Sequence, residues 1–561
     1  MKKTVRVAAA QFQVGNTVDT NLQTCLRMMR QAAENQPDLI VLPEFSNHCS
    51  WYNDADHCFE VSVDLNGPFV NAIAECVREI AAHVVINCTV RRNSKKVTGT
   101  SVLFNPDGVI VGTTDKQVLI GHENDFLDRG TQSGPVVETD LGRLAMYSCM
   151  DGVINETPRC LALRGAQILC NSLNSFALDE GSLHIPVRAA ENKVWVVAAN
   201  KVGPLIPEEL VAPVSEATSI PAHFLDGAGD SQIVAPDGTV LAIAGKSEEI
   251  IWADIDPTLA DTKTRPDGTD LFAARRPELY ADLGDDPAGQ KITIAGPEDV
   301  VAAAIAFDDD VAAGSATIDD ACRNVSAAQA QGAKLICLPE LFCGDDVDTC
   351  SLAVERLAEV IEDSALVACS IATRTEGGVG HCAVLIGKDG IVLQQPQLHD
   401  SARYRWSETG DSIETLDTEF GRLAVLCGED VIYPETMRLA ALQGVSTVLV
   451  PASPQEEWEG RTGIVERSAE NRVNIVFASS AADDRSSLIA SLQKDFTIMT
   501  EWKERPFDGL LSCPEVHRSS TDGNILVATV HPLAAANKEC SRNTHLLASR
   551  PWQLLQPIIE T

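Results

Sequence analysis

The sequence predicts an α/β protein: a mixed sheet covered by helices, built twice over. Three observations lead there. Short apolar runs alternate with helix-like segments along the chain. Hairpin signatures interrupt that alternation. One long stretch also recurs, "GRLAMYSCMDGVINE" at 142–156 returning as "GRLAVLCGEDVIYPE" at 421–435.

The elements follow in order. "TNLQTCLRMMRQAAEN" places Leu22, Cys25, Leu26 and Met29 on one helical face. "DLIVLPE" and "HVVINCTV" read as buried strands ending in turns. "SVLFNPDGVIVG" reads as a hairpin turned by Pro-Asp-Gly, and "SQIVAPDGTVLAIA" repeats the device.

The repeat extends beyond the opening pair. Gly142 and Gly421, Asp151 and Asp430, Glu156 and Glu435, and Gly165 and Gly444 all differ by 279 in residue number. "RAAEN" (188–192) matches "RSAEN" (467–471) at the same offset. Upstream, "PDLIVLPEF" (37–45) matches "AKLICLPEL" (333–341), and near the ends "DLFAARRPELY" (270–280) echoes "HLLASRPWQLL" (545–555). The Gly/Pro/Asp-rich "LGDDPAGQKI" between the copies reads as a linker. The division expected is a first domain over 1–284, a linker over 285–295 and a second domain over 296–561.

A chain of 561 residues exceeds what one hydrophobic core serves, which agrees with two domains. The net charge of −36 argues against nucleic-acid and anionic-membrane partners. Seventeen cysteines without regular spacing, many in apolar runs such as "LICLPE" and "QILCNS", fit reduced thiols in a cytoplasmic protein. No run approaches the roughly 20 apolar residues that cross a bilayer.

Glu44, Lys116 and Cys149 each stand at the end of an apolar strand run of the first copy, where a sheet presents reactive groups. Together they can carry acyl transfer. The carboxylate takes the thiol proton, the sulfur attacks a carbonyl or nitrile carbon, and the ammonium offsets the developing oxyanion. Taken singly, each has a bland reading: a core cysteine, a solvated or capping glutamate, a surface lysine.

At these residues the chain resembles the carbon–nitrogen hydrolase (nitrilase) superfamily, in "LPEF", "DKQVLIGHENDFLDRG" and "GRLAMYSCMD", with "RAAEN", "AANKVG" and "RRPELY" later. The resemblance covers nearly all of residues 4–284. It implies a four-layer αββα sandwich in each copy, with no metal or organic cofactor. It implies Cys149 as nucleophile, Glu44 as general base, Lys116 and the Met150 backbone N–H as oxyanion stabilisers, and Glu123 as a supporting carboxylate. A thioester would form, ammonia or an amine would leave, and water would complete the reaction.

The second copy departs from this pattern. Adding the offset to Cys149 gives Gly428, so Cys427 corresponds to Ser148 and is expected on the opposite face of the strand. Arg403 stands where Glu123 would be, and Gln397 is nearest to the lysine place; only Glu340 survives. A local bulge returning Cys427 to the site is the alternative. Otherwise the second copy keeps the fold without the chemistry. The two copies are then expected to form within one chain the pair that superfamily members form between subunits, with further homo-oligomers left open.

The expected substrate is a small neutral amide. Met150-Asp151 after the cysteine is not the Trp-Glu of nitrilases proper, and Gly152-Val153 is not the Arg-Arg that carbamoyl-amino-acid hydrolases often carry. Trp51 and Tyr52 are candidates for a pocket wall, and Asn174 and Ser175 for substrate contacts. His48, Cys49, His57 and Cys58 match no common zinc spacing, so no metal is expected. The alternatives are N-carbamoyl amidohydrolase or nitrilase activity, acyl transfer to an amine, and a non-catalytic binding or regulatory protein.

Overall fold

The computed structural model describes residues 4–290, 292–307, 315–481, 483–519 and 524–560. The chain forms two compact units. The first comprises Met1–Thr262, Asp495–Leu511 and Glu539–Glu560; the second comprises Lys263–Lys494 and Ser512–Lys538. Each unit therefore contains chain from both sequence repeats, because tail segments are exchanged.

The first unit contains strands β1 (Val5–Gln11), β2 (Leu39–Val41), β3 (His83–Arg91), β4 (Val97–Phe104), β5 (Ile110–Asp115), β6 (Val137–Thr139), β7 (Gly142–Ser148), β8 (Ile168–Ser172), β9 (Trp195–Ala199), β10 (Gln232–Val234), β11 (Val240–Ile243) and β12 (Glu249–Ile255). They make two six-stranded sheets, ordered β12-β1-β2-β3-β4-β5 and β11-β10-β9-β8-β7-β6. Alternate side chains face opposite ways along a strand. Val5, Val7, Ala9, Val41 and Val85 of one sheet accordingly meet Leu144, Met146, Cys170 and Val197 of the other in a dry core. Ala8, Ala10, Ile40, Val84 and Ile86 point outward beneath the helices Val18–Ala33 and Pro68–Ile80. Helices Glu156–Leu163 and Ile185–Asn192, buried along nearly their whole length, pack with the second sheet. The layers run αββα.

The second unit repeats the plan with β13 (Val300–Ile305), β14 (Leu335–Cys337), β15 (Leu366–Arg374), β16 (Val379–Gly387), β17 (Gly390–Pro396), β18 (Leu416–Thr418), β19 (Gly421–Val425), β20 (Thr447–Pro451), β21 (Asn474–Ala478), β22 (Leu488–Ser491), β23 (Glu515–Arg518) and β24 (Ile525–Val530). Its sheets run β17-β16-β15-β14-β13-β24 and β18-β19-β20-β21-β22-β23. The hairpin β10–β11 of the first copy is closed by Pro-Asp-Gly, whereas residues 492–514 separate the corresponding β22 and β23. Part of that excursion, Asp495–Leu511, belongs to the first unit. Among the described residues no helix is long and apolar enough to cross a membrane.

Candidate active site

Glu44 leaves the carboxyl end of β2, Lys116 that of β5 and Cys149 that of β7, and the three groups come within reach of one another's charge in the first unit. Glu44 follows β2 and Pro43; its N–H donates to Leu173 O at 3.1 Å, at the end of β8. The next residue, Phe45, takes φ +49°, and Asn87 on β3 fixes it by accepting its N–H at 3.0 Å. Its ring lies so close to Gly99 that a Cβ there would sit 2.8 Å from Phe45 Cε1. Gly99 O in turn accepts the Lys116 N–H at 2.8 Å.

Lys116 and its carboxylates are sealed from water. Lys116 Nζ lies 2.9 Å from Glu44 Oε1 and 2.9 Å from Glu123 Oε2. Glu44, Lys116 and Glu123 are 0%, 1% and 2% exposed, so one ammonium is clamped between two carboxylates in a low dielectric. Burial opposes the lysine's charge, but Glu123 and Glu44 outweigh it and hold the ammonium well above its usual range. Glu44 moves the other way from an ordinary acid. Burial, aided by the charge of Glu123 and resisted by Lys116, pushes its carboxyl up to about 7. A group that is half-protonated near neutrality can both take and return a proton.

Cys149 stands between β7 and the short helix Met150–Val153 with φ +46° and ψ −109°, an elbow that strains a non-glycine residue. Its N–H donates to Asn171 Oδ1 at 3.1 Å. Burial first, then the nearby Glu44 charge, raises the thiol well above its ordinary range; Lys116 pulls against them. At rest the sulfur is therefore held as a thiol. Asp151 holds the parts in register. Its carboxylate accepts the N–H groups of Gln117 (3.0 Å), Val118 (2.8 Å) and Ser148 (3.3 Å), joining the lysine turn to the cysteine elbow. A second buried lysine, Lys201, has its ammonium 5.9 Å from the Phe45 ring centroid and is lowered by burial to about 8.

The family model for carbon–nitrogen hydrolases matches residues 6–264 and again 300–491. The chain belongs to the carbon–nitrogen hydrolase family. A nitrilase of Pyrococcus abyssi is 26% identical over 264 residues, 47% of this chain and 93% of that protein. Omega-amidase NIT2 of Bos taurus is 26% identical over 291 residues, 49% of this chain and 97% of that protein. Among solved structures, a double mutant of the amidase from Nesterenkonia sp. AN1 covers 50% of this chain and 97% of its own, at 20% identity and a TM-score of 0.41. The two matches of the family model make the chain a carbon–nitrogen hydrolase built from two copies of that family's domain.

The substrate-contact candidates divide. Asn174 Oδ1 is buried with no hydrogen-bond partner among the described residues. Ser175 is committed to its loop, its N–H and C=O both held by the Asn200 side chain at 3.0 Å. Tyr52 packs with Phe45, Cys58, Leu119 and Leu127, and Trp51 with His122 at 5.5 Å between ring centroids. The Met150 side chain faces Val118, Val153 and Ile154, which leaves only its backbone for the role expected of it. Cys49 donates its thiol proton to Leu205 O at 3.1 Å.

Sequence reasoning missed Asn171, Asp151 and Lys201. The repeat offered a signal for one of them, since Asp430 in the second unit accepts the N–H groups of Leu398 and His399 at 3.0 Å just as Asp151 accepts those of Gln117 and Val118. This equivalence sets Gln397 opposite Lys116. Gln397 donates to His399 O at 2.6 Å and pairs with His381 at 2.8 Å. Arg403 reaches Glu429 at 3.2 Å and Glu340 at 3.8 Å, and burial raises Glu340 to about 8. The β19–β20 pairing, Leu423↔Thr447 to Val425↔Leu449, keeps the register of Leu144↔Ile168 to Met146↔Cys170 without a shift. Cys427, two residues beyond that pairing, lies in the dry core between the sheets, fully buried with Leu423, Val425 and Leu449. At Gly428 a Cβ would lie 2.8 Å from Ala452 Cβ and 2.9 Å from Ala452 Cα, so a side chain there would collide with Ala452.

Proposed function

We propose that this chain hydrolyses a small neutral carboxamide to its acid and ammonia through a thioester on Cys149, and that only the first copy does so. The observation that carries the reading is the buried clamp, Lys116 Nζ at 2.9 Å from both Glu44 and Glu123, set beside the Cys149 elbow. Glu44 takes the Cys149 proton as the sulfur attacks the amide carbon. Lys116 and the Met150 N–H hold the oxyanion while Glu123 keeps the ammonium in place. Glu44 returns the proton to the leaving nitrogen, the C–N bond breaks, and ammonia departs. A water molecule then gives a proton to Glu44 and attacks the thioester carbonyl, and the thiol is recovered as the acid leaves.

Asn174 Oδ1 is suited to accept an N–H of the amide. The relatives named omega-amidase and nitrilase support hydrolysis at a carbon–nitrogen bond and leave the substrate open. A Cβ at Gly152 would lie 2.8 Å from Tyr147 Cε2, so the arginine that often follows in carbamoyl-amino-acid hydrolases has no room. This favours an uncharged amide over a carbamoyl amino acid. In the second copy Gly428 and Gln397 stand in place of nucleophile and ammonium. The seventh residue after Gln397, opposite Glu123, is Tyr404 rather than the Arg403 the sequence count gave; its hydroxyl donates to Glu340 at 2.8 Å, which supports a silent partner. The repeats over 1–284 and 296–561, joined by 285–295, then form an active and an inactive half. Iodoacetamide titration tests the assignment. One equivalent, located on Cys149, should abolish ammonia release from a panel of aliphatic, aromatic and carbamoyl amides; full release after that modification would refute it.

A further inference from the structure

The first unit contains a short hairpin supplied by the second sequence copy, β25 (Glu539–Ser541) and β26 (Thr544–His545). It lies against the turn that carries Lys116 and Glu123. Thr544, fully buried, donates its hydroxyl to Leu119 O at 3.1 Å and accepts the Gly121 N–H at 3.1 Å. Gly121, at φ +53°, leaves no room for a side chain: a Cβ would lie 2.9 Å from Ser541 Oγ. Asn124 Nδ2 adds bonds to Leu119 O and Gly121 O, each 3.2 Å, and Arg542 pairs with Asp125. Glu123 needs this turn, because its Oε2 accepts the Ile120 N–H at 3.1 Å while reaching back to Lys116. The same tail also supports the elbow: Cys540 and Leu546, with Phe496, pack on Val118, Met150, Val153 and Ile154. One hairpin therefore touches both segments that present the reacting groups, yet none of its described contacts is with Glu44, Lys116 or Cys149.

The exchange is reciprocal. In the second unit Thr269, from the end of the first copy, accepts the Ala402 N–H at 2.8 Å. Ala402 stands five residues after Gln397, as Gly121 stands five after Lys116. The device thus occurs twice, and only one occurrence serves a cysteine.

We infer that the second copy is retained as a positioning partner for the first, and that Thr544 is the positioning residue, its hydroxyl fixing the turn that sets Glu123, Lys116 and through them Glu44. This rests on the hydrolase reading above and adds a role for a residue of the repeat that lacks the nucleophile. The test uses the full chain with the best amide of the panel. Thr544→Val, which keeps the volume and removes the hydroxyl, should lower kcat at least tenfold with KM within twofold of wild type. It should also displace the acid limb of the pH profile, which a merely structural role would not move. Thr544→Ser should restore both. Arg542→Ala, at a surface ion pair, keeps the test alive if the valine variant does not fold: it should lower kcat several-fold with KM unchanged. Unaltered kcat in Thr544→Val, a loss that serine fails to rescue, or unaltered kcat in Arg542→Ala with the valine variant unfolded would overturn the inference. Cys149→Ala is the control that separates the two readings, since activity surviving there would sink the hydrolase assignment and not the role of the hairpin.

Discussion

Glutamine at position 44 keeps the shape of the side chain and removes its charge, and the structure gives two opposite consequences. Burial carries the Glu44 carboxyl from 4.5 to about 7. At about 1.4 kcal/mol per pKa unit, that interval corresponds to about 3 kcal/mol. The folded chain binds this proton more tightly than the unfolded chain, so the stabilisation is complete below 4.5 and is lost as pH rises through about 7. Glutamine resembles the protonated form at every pH. Glu44→Gln should therefore melt at a higher temperature than wild type at pH 8, and at a similar temperature near pH 4.5. Catalysis should move the other way. Loss of a positioned base costs about 10²- to 10⁴-fold, and the rise in rate through about pH 7 should vanish with it. Thermal melts at the two pH values, with ammonia release measured across pH 5–9, test both. A variant that melts below wild type at pH 8, or that keeps the same acid limb, would refute the reasoning.

Three further outcomes follow from the same geometry. Glu123→Gln removes a negative charge that raises Glu44, so the acid limb of kcat/KM should move below 7; an upward move contradicts the clamp. Adding Gly428→Cys and Gln397→Lys in a Cys149→Ala background should yield no ammonia and cost about 1–3 kcal/mol of stability through the crowding at Ala452. Renewed turnover there would show that the second site is merely unarmed. Residues 1–284 expressed alone lack the hairpin at 539–545 and should be insoluble or nearly inactive; full activity of that fragment would remove the reason given for the duplication.

The layered α/β plan was legible because its central β-runs are apolar and its outer helices amphipathic, as with Cys25 and Met29 buried on Val18–Ala33. Gly428 was legible because the offset of 279 holds in the sequence on both sides of it, and the β19–β20 register keeps that offset as far as Val425↔Leu449. Other features were hidden. Apolar periodicity does not report that Cys149 adopts φ +46°, nor that Asp151 turns inward to gather three N–H groups. The echo between "DLFAARRPELY" and "HLLASRPWQLL" disclosed two related tails. Which unit each tail enters depends on long-range packing, such as Leu271 against Ile432 and Tyr433, which no local pattern encodes. The state of the sulfur also needed coordinates. A carboxylate and an ammonium nearby suggest a thiolate, whereas burial raises the Cys149 thiol well above its ordinary range.

A covalent adduct tests the central claim most directly. Acid quenching during turnover of the preferred amide, followed by peptide mapping of all seventeen cysteines, should find the substrate's acyl group on Cys149 and on no other thiol. Acyl label on Cys427, or steady ammonia release from Cys149→Ala, would contradict it.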